Sequence, residues 1–176
     1  MYNVHNALRA KVSMSLDMAM GMEYLHAQTP MIIHRDLKSL NLLVTDDYRI
    51  KITDFGMARA KAYAKAGGAA QMQTAIMTEC GTPFWTAPEM FMGRKKYNEK
   101  VDQYAYAMTV LEIVQSKTPW NINPMLVQRK VCEGERPTIP HNCVPIVRSV
   151  IQKCWVQNPT QRPTFDRVVA ELKSAP

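Results

Sequence analysis

The strongest constraint on the fold is an almost uninterrupted apolar run from Tyr104 to Val114, in which the exceptions are Thr109 and Glu112. An α-helix that is apolar on all sides has no face for solvent, so it is expected at the centre of the domain. The other elements must then pack around this helix. With 176 residues, of which 47% are hydrophobic, the chain has enough apolar surface for one domain with a real core.

The remaining pattern predicts a mainly α domain with one small β-hairpin and one long loop. Apolar residues at helical spacing predict further helices over 8–28, 123–131, 147–155 and 165–172. Two short runs at 42–45 and 49–53 have strand character, and Asp46-Asp47-Tyr48 joins them into the hairpin. Between residues 58 and 82 the chain is rich in alanine and glycine, so a long loop is expected there. Long loops inside compact domains are usually functional or disordered.

Composition and charge argue against several classes of function. The net charge is +7, but the densest basic run is only Arg94-Lys95-Lys96 and no nucleic-acid-binding module is recognisable, so no nucleic-acid partner is expected. The four cysteines contain no C-x-x-C pair, which argues against a zinc site and fits reduced thiols. No apolar stretch is long enough to cross a bilayer, and the N-terminus lacks the pattern of a secretory signal. A cytoplasmic location is therefore expected.

Three short motifs follow one another along the chain. Residues 34–41 read HRDLKSLN, residues 54–56 read DFG, and residues 87–89 read APE. In this order, with the predicted hairpin between the first two, they resemble the C-terminal lobe of eukaryotic protein kinases. The resemblance covers nearly all of the chain. It implies a kinase C-lobe over residues 1–176, with the catalytic loop at 34–41 and the activation segment at 54–89.

The resemblance assigns chemistry to five residues. Asp36 would accept the proton of the substrate hydroxyl, and Lys38 would stabilise negative charge on the transferring phosphoryl group. Asn41 and Asp54 would supply hard oxygen ligands to Mg²⁺ beside the phosphates of ATP. Leu43 would lie under the adenine ring, although plain core packing would explain an apolar residue there equally well. Taken singly, aspartate and asparagine are also ordinary turn residues.

Other residues indicate the class of substrate. Lys38 occupies a position at which the serine/threonine kinases of the family carry lysine. Thr82 resembles the threonine that hydrogen-bonds the catalytic aspartate and lysine in those enzymes. Cys154-Trp155 and the run from Gln161 to Phe165 are most similar to the tyrosine-kinase-like group of serine/threonine kinases. The resemblance therefore implies phosphorylation of serine or threonine in protein substrates.

The activation segment offers a candidate regulatory site. In the family, the arginine at the position of Arg35 pairs with a phosphate on this segment, because its fork of donors matches phosphate oxygens. Thr78 lies four residues before Thr82, where such a phosphothreonine often occurs, and Thr74 is a second candidate. Phosphorylation would then order the loop. Alternatively, both threonines are solvated loop residues.

Five residues resemble structural positions of the family. Glu89 and Arg162 are expected to form a buried ion pair. Asp102 is expected to accept hydrogen bonds from the backbone of the catalytic loop, although a carboxylate at a helix N-terminus is favourable in any case. His34 and Phe55 are expected to pack together and couple the loop to the DFG motif.

The family's N-terminal lobe has no counterpart among the residues before His34. No G-x-G occurs there, Gly21 lies within the first predicted helix, and Lys11 lies on that helix as well. The expectation is a C-lobe without an N-lobe, which binds nucleotide very weakly and exposes apolar surface near Leu43 and Phe55. Such a surface favours aggregation or a regulatory protein partner. The alternative to a serine/threonine kinase is therefore a non-catalytic docking module derived from one.

Overall fold

The computed structural model describes residues 4–60, 83–92 and 98–174, and gives the backbone alone for 4–7, 57, 59 and 60. The helices of these residues are α1 (Val4–His26), α2 (Pro88–Phe91), α3 (Lys100–Gln115), α4 (Pro124–Cys132), α5 (Pro145–Cys154) and α6 (Phe165–Lys173). The mainly α fold class is confirmed. The four helices predicted beside the central run correspond to α1, α4, α5 and α6, with boundaries shifted by a few residues.

The apolar helix α3 is the centre of the domain. Every residue from Val101 to Leu111 is buried, including the polar Asp102, Gln103 and Thr109. Helix α3 packs mainly against α5, and α1 packs mainly against α6. At its far end Ser116 adopts a left-handed conformation (φ 54°), and its N–H donates to the carbonyl of Glu112. The apolar run that predicted a central helix therefore forms the buried middle of the domain.

Proline determines where three helices begin. Helices α2, α4 and α5 start at Pro88, Pro124 and Pro145. The first turn of a helix tolerates proline because the N–H at that position has no acceptor within the helix. Asn123 adds a cap to α4, since its side chain accepts a hydrogen bond from the N–H of Met125 at 2.9 Å.

Two small antiparallel sheets lie beside the helices. Strands β2 (Leu42–Val44) and β3 (Ile50–Ile52) form the predicted hairpin, in which Leu43 is opposite Lys51. Strands β1 (Ile32–Ile33) and β4 (Arg59–Ala60) form a second sheet that the sequence did not predict. The predicted long loop was therefore placed too early at residue 58. Two-residue strands show no alternation, and a distant partner leaves no local signal, so the pattern could not reveal β4.

Within residues 4–60, 83–92 and 98–174, none of the helices combines the length and the apolar character that crossing a membrane requires.

Candidate functional site

Asp102 anchors the start of the catalytic loop. Its fully buried carboxylate accepts hydrogen bonds from the backbone N–H groups of His34 at 2.9 Å and Arg35 at 2.8 Å. Arg35 has a positive φ of 69°, which is unfavourable for a residue with a side chain. A strained backbone persists only where its surroundings hold it in place, and here one carboxylate binds the N–H of the strained residue and the N–H of the residue before it. The contact expected from the sequence is present.

Two histidines complete this anchor. His26, at the end of α1, donates from Nε2 to Asp102 at 2.8 Å. His34 is fully buried, and its Nδ1 lies 3.4 Å from the N–H of Asp36 while its Nε2 lies 3.1 Å from the carbonyl of Thr53. These two contacts require the proton on Nε2, because Nδ1 has to accept and Nε2 has to donate. His34 therefore links the catalytic loop to the residue before Asp54.

Asp36 is held by two donors that reach the same carboxylate oxygen. Lys38 Nζ donates to Oδ2 at 2.7 Å, and Asn41 Nδ2 donates to Oδ2 at 3.0 Å. Asn41 also donates to the carbonyl of Asp36 at 2.7 Å, which fixes the backbone of the loop. Among the described residues no donor is assigned to Oδ1 of Asp36. Lys38 and Asn41 thus fix the position of the Asp36 carboxylate relative to the loop.

The hairpin brings Asp54 close to this group. Thr53 donates from its N–H to the carbonyl of Asn41 at 2.9 Å and from its hydroxyl at 3.2 Å, so Asp54 directly follows a residue fixed to the catalytic loop. Asp54 has φ 57° and ψ 72°, and its Oδ1 accepts from the N–H of Gly56 at 3.2 Å. Its side chain is exposed to solvent.

The donor set on this surface fits Mg²⁺. The amide nitrogen of Asn41 is engaged with Asp36, which leaves its Oδ1 to act as a ligand, and Asp54 adds a solvent-accessible carboxylate. Mg²⁺ takes one or two protein oxygens and completes its shell with water and substrate phosphates. In the part of the chain that the structure describes, no cluster of three or more histidine, cysteine, aspartate or glutamate side chains could hold a metal by itself.

Apolar side chains near the site are exposed. Leu43 is 59% exposed and Val44 is 54% exposed. Phe55 is 49% exposed, although its ring lies 5.5 Å from that of His34. The alternative that Leu43 belongs to the core is therefore wrong. The exposed apolar surface expected beside the site is present. Its residues are neighbours in sequence of Asn41 and Asp54.

A buried ion pair between Arg162 and Glu89 forms a second anchor, at the APE motif. Arg162 donates from Nη1 to Glu89 Oε1 at 2.6 Å and from Nη2 to Oε2 at 2.9 Å, and both side chains are buried. The guanidinium also donates to the carbonyls of Lys100 and Val156 and stacks 5.3 Å from the ring centroid of Tyr104. This bidentate arrangement fixes both groups geometrically.

Glu112 contacts both the catalytic loop and the segment before the APE motif, and the sequence did not predict these contacts. Its Oε1 accepts from the hydroxyl of Ser39 at 2.8 Å, and its Oε2 accepts from the indole Nε1 of Trp85 at 3.2 Å. Burial raises the pKa of Glu112, and the two donors oppose that shift. The available signal was its place as the sole carboxylate in the apolar run from Tyr104 to Val114. Three of the predicted residues, Thr74, Thr78 and Thr82, lie outside the described residues.

Comparison with known proteins decides the family. The family model described as protein tyrosine and serine/threonine kinase matches residues 3–172. This chain belongs to the protein kinase family. The resemblance drawn from the HRD, DFG and APE motifs is thereby confirmed at the level of the family.

Relatives of this kinase chain are found in a virus and in an amoeba. A putative serine/threonine-protein kinase/receptor of Acanthamoeba polyphaga mimivirus is 39% identical over 93% of the chain. The probable serine/threonine-protein kinases drkC and drkD of Dictyostelium discoideum are 41% and 38% identical over 92% and 90% of it. The chain spans 9%, 21% and 12% of the length of these three relatives, respectively. Their likeness thus concerns one region of much longer proteins.

Proposed function

We propose that the chain carries the catalytic loop of a protein serine/threonine kinase, which transfers the γ-phosphate of ATP to a serine or threonine hydroxyl of a protein. The observation that carries this proposal is the arrangement of Asp36. Lys38 and Asn41 both donate to its Oδ2, which holds the carboxylate in place to orient a substrate hydroxyl.

Each residue of the loop then has a defined task. Asp36 orients the hydroxyl and takes its proton as the oxygen bonds to the γ-phosphorus and the bond to the β-phosphate oxygen of the leaving ADP breaks. Lys38 places a positive charge beside the Asp36 carboxylate. Without this charge, the carboxylate would repel the negative charge on the transferring phosphoryl group. Asn41 fixes the carboxylate relative to the loop. Positioning of this kind accounts for most of the catalysis of phosphoryl transfer.

Nucleotide and Mg²⁺ would bind on the adjoining surface. Asn41 and Asp54 would hold the ion, which when bound supplies neutralising charge to the phosphates. Leu43, at 59% exposure, offers an apolar surface for the adenine ring. The G-x-G motif, which closes over the phosphates in the family, does not occur within these 176 residues.

The preference for serine and threonine rests on two supports. Lys38 has the residue type that the family's serine/threonine enzymes carry, and the relatives described above are named serine/threonine-protein kinases. Assignment to the tyrosine-kinase-like group and a cytoplasmic location stay predictions. Protein substrates follow from the family, while a regulatory protein partner remains part of the proposal.

The test is a phosphoryl-transfer assay with millimolar Mg²⁺ and ATP labelled at the γ-phosphate, followed by phosphoamino acid analysis of a general protein substrate. We expect label on serine and threonine and its loss in Asp36→Asn, which keeps the shape but removes the base. Arg129→Met, which removes an exposed charge on α4, is the matched control. Label on tyrosine alone, or labelling that survives Asp36→Asn, would contradict the proposal.

A docking module is the second candidate, and the exposed apolar side chains favour it. Leu43, Val44 and Phe55 present a surface that a protein could cover as readily as a nucleotide. The two functions differ in their dependence on Asp36. A docking function predicts no label at any ATP concentration, together with partner binding that is unchanged in Asp36→Asn and lost in Leu43→Asp.

A further inference from the structure

Helix α1 holds strand β3 through the carboxylate of Asp17. Its Oδ2 accepts hydrogen bonds from Nε of Arg49 at 2.7 Å and from the backbone N–H of Ile50 at 3.1 Å, and its Oδ1 accepts from Nη2 of Arg49 at 2.7 Å. The Asp17 side chain is only 7% exposed, whereas that of Arg49 is 56% exposed. An ordinary surface ion pair joins two mobile side chains, but this carboxylate also binds the backbone of the strand.

Gly21 lies one turn further along α1 and makes a second contact with β3. A Cβ atom at this position would lie 2.9 Å from Cδ1 of Ile52, which is closer than real Cβ atoms come to another heavy atom. Glycine therefore lets the helix approach the strand closely. Because glycine inside a helix costs stability relative to alanine, this close approach is a physical reason for glycine at this position.

The two contacts match in spacing. Four residues of an α-helix rise about 6 Å, and two residues of a β-strand rise about 6.6 Å. Asp17 therefore contacts Ile50 while Gly21, four residues later, contacts Ile52. Together the contacts fix β3 along α1, because a shift of the strand would break the hydrogen bond at the first position and change the packing at the second.

Strand β3 leads directly to Asp54. Thr53 follows the strand, and its N–H and hydroxyl both donate to the carbonyl of Asn41. The strand is thus held by Asp17 at its start and by the catalytic loop just after its end. Asp54 is the next residue, so its place relative to Asn41 depends on both attachments.

We propose that Asp17 and Gly21 are positioning residues that set the place of Asp54 by fixing β3 on α1. Both residues act through the strand and not through contact with a bound ion or nucleotide. The consequence for Mg²⁺ binding rests on the proposed kinase function. The placement of β3 is a property of the folded chain and is measurable without metal or phosphoryl transfer.

The first test removes the carboxylate in the full ¹⁵N-labelled chain. In Asp17→Ala we expect the Thr53 amide to exchange with solvent about 10-fold faster, although its own hydrogen bond is to Asn41. Arg49→Met is the matched control, because it removes the exposed guanidinium and leaves the Asp17 carboxylate to accept from Ile50. It should keep the wild-type exchange at Thr53. Unchanged exchange in Asp17→Ala, or equal acceleration in Arg49→Met, would overturn the inference.

Gly21→Ala tests the close approach and keeps the inference falsifiable if Asp17→Ala does not fold. The added methyl leaves the acceptor on Asp17 but displaces Ile52, so the amide resonance of Asp54 should move. In an Ile52→Val background, which lacks Cδ1, Gly21→Ala should leave that resonance in place. A shift of equal size in both backgrounds, or a shift in neither, would overturn the inference.

Mn²⁺ binding in the presence of ATP separates this inference from the proposed function. Asp17→Ala and Gly21→Ala should each require about 10-fold more Mn²⁺ for half-maximal broadening at residues 53–56, the usual cost of losing a group that orients a metal ligand. Arg49→Met should match the wild type. A wild-type chain that does not bind Mn²⁺ would overturn the proposed function and leave the placement of β3 intact. Normal Mn²⁺ binding with Asp54 unmoved in both variants would overturn this inference alone.

Discussion

Two buried carboxylates, Asp102 and Glu89, stabilise two of the kinase motifs in different ways. Asp102 binds two neutral backbone N–H groups and an imidazole, whereas Glu89 binds the guanidinium of Arg162 with both oxygens. Asp102 fixes a backbone conformation, the positive φ of Arg35. Glu89 compensates a charge that would otherwise be buried alone. The same chemical group thus acts as a conformational clamp at one place and as a counter-ion at the other.

The largest expected effect comes from breaking the ion pair. Arg162→Met keeps most of the side-chain volume but leaves Glu89 buried without its counter-ion, which should lower the free energy of unfolding by about 3–5 kcal/mol. The measurement is urea denaturation followed by circular dichroism. Arg129→Met is the control, because the side chain of Arg129 is 70% exposed and its pair with Glu133 is 3.8 Å long. Equal costs for the two variants would contradict the account.

Loss of the conformational clamp should cost less and act more locally. In Asp102→Asn, one of the two amide N–H groups faces an NH₂ group instead of an oxygen, which should cost about 1–3 kcal/mol. Hydrogen exchange should accelerate at the amides of His34 and Arg35. In Glu89→Gln those two amides should keep their protection. If Glu89→Gln accelerated exchange at both amides as strongly, the distinction between clamp and counter-ion would fail.

The sequence predicted both buried carboxylates and the central helix, but it did not predict every contact of the site. The HRD, DFG and APE motifs established the family resemblance. The resemblance then assigned positions to Asp102, Glu89 and Arg162 as well as to the catalytic loop. The central helix followed from the apolar run alone, since a helix with no polar face has to be buried. The first group of predictions depends on the family resemblance, whereas the central helix depends on a local pattern that a single sequence displays directly.

The parts that escaped prediction depend on contacts between distant residues. Strand β4 pairs with β1 across 26 residues, and two residues are too few to show alternation. Glu112 looked like a minor break in an apolar helix, and its partners Ser39 and Trp85 become visible only when the chain is folded. The exposure of Leu43 was ambiguous, because an apolar residue in a short strand fits both the core and a binding surface.

The smallest expected effect concerns Glu112, a third carboxylate, which is only partly buried. Burial raises its pKa in the folded state above the ordinary value of 4.5. A folded pKa above the unfolded value gives stability that is fully present below 4.5 and is lost as the pH rises through the folded pKa. The unfolding free energy should therefore show a small fall over this window that is absent in Glu112→Gln. An identical pH profile in both proteins would contradict a raised pKa.

The central claim is that Asp36, Asn41 and Asp54 share one surface for a metal-bound triphosphate. Its most direct test is paramagnetic broadening by Mn²⁺ with ATP, which detects even weak binding, recorded by NMR on the ¹⁵N-labelled chain. We predict selective broadening at residues 36–41 and 53–56, its loss in Asp54→Asn, and sharp signals at Gly134, which follows α4. Broadening centred elsewhere, or equal broadening in Asp54→Asn, would contradict it.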